Sequence, residues 1–148
     1  MPYTLHRKPR QVDFEVRSLD RESGDLITLY TVTFEAPTTA QILEMRPLVA
    51  SLSAISVRYA TALKRFSLGA EENEPQYPDL TELETALKDC LAPLVCDFGG
   101  IEDEEGNPIK VDSDTVELAL GEWETDMLVA AANALVASRS LPKSVGND

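Results

Sequence analysis

The densest group of metal-capable side chains in the chain is Glu102-Asp103-Glu104-Glu105, followed by Gly106-Asn107-Pro108. Hard cations such as calcium take several carboxylate oxygens, and an EF-hand loop supplies them at alternating positions, with glycine sixth and glutamate twelfth. Counted from Asp103, this stretch has Gly106 fourth and Asp114 twelfth, so its spacing predicts a solvated acidic turn, and no metal is expected. Nucleophilic chemistry is equally short of parts. His6 is the only histidine and stands among Arg7, Lys8 and Arg10, so a serine or cysteine nucleophile has no imidazole base beside it. Cys90 and Cys96 are too far apart in sequence for a thioredoxin-type pair, and both fall in an apolar stretch read as helical, where thiols pack as small hydrophobes. Gly99-Gly100 is an isolated pair without the lysine that a phosphate-binding loop requires. No carboxylate pair is set apart by its surroundings for acid–base work. The chain reads as a binding protein without cofactor or catalytic residues.

Charge narrows the partners. The 148 residues include 26 acidic and 13 basic side chains, a formal charge of -13, and the sequence pI is near 4.4. Each phosphate contact needs a cation, so nucleic acid is not an expected partner. The same charge opposes aggregation beside sticky clients. Hydrophobic residues make up 43% of the chain, enough for a folded core, and the length suits one domain spanning 1–148. No apolar run is long enough for a membrane span and the N-terminus has no signal-peptide pattern.

The elements expected to carry these residues form an α+β fold. A basic flexible leader covers 1–10. Val12, Phe14 and Val16 alternate with Asp13, Glu15 and Arg17, then Ser23-Gly24-Asp25 offers a turn, and Leu26 to Phe34 is rich in β-formers; this predicts an antiparallel hairpin over 11–35. A mainly helical region follows over 38–140, with three main helices. Ile42, Met45, Val49, Leu52, Ile55, Tyr59, Leu63 and Phe66 recur three or four residues apart, with Pro47 expected to divide or kink their helix. A second helix is expected from Asp79, with Glu82 completing a capping box, through Leu94. After a small acidic turn or hairpin, a last helix from Ser113 or Asp114 carries Val116, Leu120, Trp123, Met127, Ala131 and Leu135 on one stripe and ends near Ser140. Residues 141–148 read as a flexible tail. Trp123 and Met127 serve either as core or as an anchor for a partner helix, and with Glu102, Asp103, Glu104 and Glu105 they are the candidate partner contacts.

From about residue 79 to residue 138 the chain resembles the tail assembly chaperones of siphophages and related long-tailed bacteriophages. The resemblance lies in a leucine-rich helix, then Phe98-Gly99-Gly100-Ile101-Glu102-Asp103-Glu104-Glu105-Gly106-Asn107-Pro108-Ile109, then an aromatic-containing amphipathic helix. It implies a protein of the host cytoplasm, absent from the mature virion, that keeps the tape-measure protein soluble and helps recruit tail-tube subunits. It also implies a minus-one ribosomal frameshift making a longer form, and Leu141-Pro142-Lys143 is compatible with a slippery C-CCA-AAA or C-CCA-AAG heptamer. Two other readings differ in their partners. A head-to-tail connector or tail-completion protein would stay in the virion, and an acidic DNA-mimic inhibitor would bind a basic host nuclease in a salt-sensitive way.

Overall fold

A computed structural model describes residues 10 to 145, with side chains to residue 138. His6, Arg7 and Lys8 of the basic leader, and residues 146–148 of the expected tail, lie outside the described residues. The fold is α+β: a three-stranded antiparallel sheet in the order β1-β2-β3, with four α-helices.

The hairpin expected over 11–35 is present as β1 (Gln11–Leu19) and β2 (Leu26–Glu35). Gln11 pairs with Glu35, Phe14 with Val32 and Leu19 with Leu26, and an irregularity at Val16/Arg17 lets the strands coil. Its turn is held by Asp20, whose carboxylate accepts from the Glu22 amide at 3.0 Å and the Ser23 hydroxyl at 3.1 Å. Val16, Val32 and Phe34 point inward and are buried, whereas past the irregularity Leu19 and Leu26 share the opposite face and Ile27, paired with Ser18, stands on the Val16 face beyond the core; all three are exposed. Among the described residues the sheet is covered on one face only, the usual arrangement for antiparallel strands.

α1 (Thr39–Ser67) is opened by a reciprocal cap, with Thr38 Oγ1 accepting from the Gln41 amide and Gln41 Oε1 accepting from the Thr38 amide. Pro47 lies inside this helix and does not end it. Ile42, Met45 and Leu52 are buried, so the first half of the helix supplies the core. The later stripe residues Tyr59, Leu63 and Phe66 are half-buried, and Tyr59 packs edge-on against Tyr77 of the following loop, ring centroids 5.1 Å apart.

The next stretch departs from expectation. α2 spans Thr81–Leu91, shorter than the helix read as far as Leu94, and Asp79 engages Thr81 instead of Glu82, its Oδ1 accepting from the Thr81 amide at 3.0 Å and hydroxyl at 2.6 Å. A 3-10 turn, Ala92–Leu94, follows, and then a third strand, β3 (Val95–Gly99). Pro93 cannot donate to a helical ladder, and the chain leaves the helix there to pair Phe98 with Val32 and Asp97 with Thr33. Cys90 and Cys96 therefore stand on a helix and a strand, not on one helix.

The last helix is two. α3 (Ser113–Gly121) is capped by Asp112, which accepts from the Thr115 amide at 2.8 Å, and α4 runs Thr125–Val145. Gly121 weakens the helix where the break occurs, and Trp123 turns inward between the two. Ala131 and Leu135 are buried as expected, joined by Leu128 and Ala132, while Met127 is half-buried at the flank of the stripe. α4 passes Pro142 and continues to Val145, beyond the end expected near Ser140, so Leu141 to Val145 of the supposed tail are helical.

Candidate binding surfaces

Trp123 sits in the core, 3% exposed, between the sheet and the last two helices. Its ring lies 5.5 Å from Phe14 and 6.3 Å from Phe34, and its indole N–H donates to the Tyr30 hydroxyl at 3.0 Å. That bond joins the sheet to the α3–α4 junction and uses the only donor the indole has. Met127 packs against the same core. The two side chains hold elements together, and Trp123 offers almost no surface to a partner.

The acidic turn is on the outside. Ile101 and Ile109 close it, the Ile109 amide donating to the Ile101 carbonyl at 3.2 Å, and Glu102 bridges to Pro108. Asp103 organises the interior of the turn, its Oδ1 accepting from the amides of Glu105 and Asn107, both at 2.9 Å. Gly106 holds φ +85°, a left-handed conformation that a side chain would strain. Gly100, at φ +82°, lies against Tyr30 and lets the turn start beside β2. Glu102, Glu104 and Glu105 point to solvent, and among the described residues no three acids, cysteines or histidines converge as metal ligands.

Neither thiol is activated. Burial pushes the Cys90 thiol up, helped by the charges of Glu44 and Asp89. Cys96 is likewise raised by burial first and then by Glu35, Asp97 and Asp13, while its Sγ donates to the Thr33 carbonyl at 3.3 Å. A thiol held protonated is a poor nucleophile at neutral pH.

Two surfaces remain that sequence reasoning did not single out. The first is the far end of the hairpin. Strand β3 pairs only with Thr31 to Phe34, so Leu26 to Leu29 and their β1 partners extend past it as a two-stranded arm. Leu19 and Leu26, 59% and 65% exposed, face each other across this arm, and Ile27 and Leu29 are also exposed. Strict alternation does not locate it, because the irregularity at Val16/Arg17 puts Ile27 on the face opposite to the one that alternation gives.

The second lies beside β3, which among the described residues hydrogen-bonds to β2 on one side alone. A cleft of about 1240 Å³ runs past Cys96 and Asp97, the acidic residues Glu102, Asp103 and Glu104, and the apolar Ile109, Val111 and Leu118. A smaller pit of about 210 Å³, floored by Tyr30, Phe98 and Ile101, shares Ile109, Thr115 and Leu118 with it. Leu118 stands between the two, 71% exposed. Only the structure reveals this cleft, because β3 was hidden in the sequence. Among the described residues no helix is long and apolar enough to cross a membrane.

No family model, curated protein or solved structure matches the chain.

Proposed function

We propose that this chain is a tail assembly chaperone of a long-tailed bacteriophage, a binding protein that keeps the tape-measure protein soluble and helps recruit tail-tube subunits in the host cytoplasm. The observation that carries the reading is the exposed apolar arm, Leu19, Leu26, Ile27 and Leu29, on a chain of net charge -13. Exposed apolar side chains gathered at one end of a protein mark an interaction site, and strong like charge keeps the protein dispersed while they are open. The order of features from Leu80 to Ser138, a leucine-rich helix, the Phe98 to Ile109 turn and an amphipathic helical end, supports the same family.

The test begins with the gene. A slippery heptamer across the codons for Pro142 and Lys143, followed by a long gene for an apolar helical protein, is the expected arrangement. Co-expression then reads the activity: the tape-measure protein stays in the supernatant with this chain and pellets without it. A gene with neither feature, or the chain present in purified virions, overturns the proposal.

A further inference from the structure

We propose that the cleft beside β3 takes an extended basic polypeptide segment, which adds a strand to the free edge of Val95–Gly99 and seats one apolar side chain over Leu118 in the adjoining pit. The proposal rests on the reading of the chain as a binding protein, though not on the identity of its client.

Three features of the cleft converge on that occupant. β3 ends the sheet, so one row of its backbone donors and acceptors faces away from β2, and such an edge pairs with an added strand. The Glu102–Pro108 turn stands across from it and limits the opening to the width of the cleft instead of leaving a bare edge. The pit behind Leu118, floored by Phe98 and Ile101, is of the size of one large apolar side chain, and side chains of an added strand alternate, so every second one meets this wall.

Charge selects the sign of the segment. Asp97, Glu102, Asp103 and Glu104 line the cleft against one basic residue, Lys110. Asp103 is engaged by its own turn and Asp97 accepts from the Phe98 amide at 2.9 Å, but Glu102 and Glu104 are exposed, and the ion pairs among the described residues are elsewhere, Arg17 with Glu15 and Arg65 with Glu71. Lysine or arginine side chains on the alternate positions of an added strand would meet these two carboxylates while apolar ones meet Leu118. An acidic segment would face like charge at every such position.

The probe is a short, capped, fluorescein-labelled peptide alternating lysine with leucine and phenylalanine, titrated at physiological salt against the whole chain. Leu118→Asp, and separately the pair Glu102→Lys with Glu104→Lys, are expected to weaken binding by about tenfold or more, as for central contacts of an interface. Glu72→Lys with Glu74→Lys makes the same charge change on the loop after α1 and is expected to cost less than about twofold. Amide exchange of Val95–Gly99 slows when the peptide binds.

Equal losses in the loop control reveal unspecific charge attraction and overturn the proposal. So does binding that leaves the β3 amides unprotected, which would mean a helix lying in the cleft. A dimer seen by sedimentation, abolished by Leu118→Asp and indifferent to peptide, would assign the cleft to a second copy. If both cleft variants bind the peptide as tightly as the parent chain while tape-measure solubility in co-expression holds, the cleft proposal falls and the chaperone reading stands. If the peptide binds as described but no tape-measure protein is kept soluble, the reverse holds.

Discussion

Replacing Tyr30 by phenylalanine removes one oxygen and tests the join between the sheet and the helical end. The hydroxyl accepts from the Trp123 indole N–H at 3.0 Å, and Trp123 is buried, so the variant leaves a donor in the core without its protein partner. An unsatisfied buried donor costs about 1–3 kcal/mol, more than the net worth of an ordinary hydrogen bond. With a urea slope of about 2 kcal/mol per M for a chain of this size, the unfolding midpoint should fall by about 0.5–1.5 M. Trp123 is the only tryptophan, so its fluorescence reads the transition directly, and its native emission should be that of an apolar site. Trp123→Phe removes the donor itself, and a double-mutant cycle should return a coupling of about 1 kcal/mol between the two positions. The reasoning is refuted if Tyr30→Phe moves the midpoint by less than about 0.2 M, or if the native tryptophan emits like the urea-unfolded chain.

Leu52→Ala, at a fully buried position of α1, should cost about 2–5 kcal/mol in the same assay. Pro47→Ala restores a backbone donor to an exposed position inside α1 and should raise stability by about 1 kcal/mol or more, with destabilisation indicating that the proline sets a bend the packing needs. Both thiols should react with a disulfide reagent more slowly at neutral pH than in urea, because burial raises each of them; equal rates would show that they are open. Asp20 is held below the ordinary carboxylate range by the Glu22 amide and the Ser23 hydroxyl, and Asp79 by the Thr81 hydroxyl and amide. A depressed folded-state value means a contribution present above the unfolded carboxylate range and lost as pH falls through the folded one. Asp20→Asn with Asp79→Asn should therefore flatten the acid side of the stability profile, and an unchanged acid limb would count against these bonds.

The hairpin was legible because Val12, Phe14 and Val16 alternate so regularly and Ser23-Gly24 permits a tight turn. The acidic turn between Ile101 and Ile109 was legible for a similar reason, since Gly106-Asn107-Pro108 cannot continue any regular element. β3 was not, because Leu87, Leu91 and Leu94 keep helical spacing up to its first residue. The α3–α4 break escaped notice because Leu120, Trp123 and Met127 keep that spacing across it. A stripe of apolar residues reports that a segment is buried on one side, but not whether its backbone is continuous. The helix expected to end near Ser140 runs on through Pro142, since a proline can lie inside a helix, as Pro47 also does. The binding surfaces stayed hidden longer, since the cleft exists only once β3 is placed and tertiary pairing decides where a sheet ends.

The hairpin arm also sets how the protein comes apart. Beyond Tyr30 it has a single neighbouring strand and almost no core beneath it, and an isolated two-stranded ribbon is only marginally stable in water. Its amides should exchange by local opening, at a cost far below that of unfolding the body. The apolar residues Leu19, Leu26, Ile27 and Leu29 thus belong to the least cooperative part of the molecule. They can rearrange against an irregular surface while Val32 and Phe34, further along the same strand, stay locked.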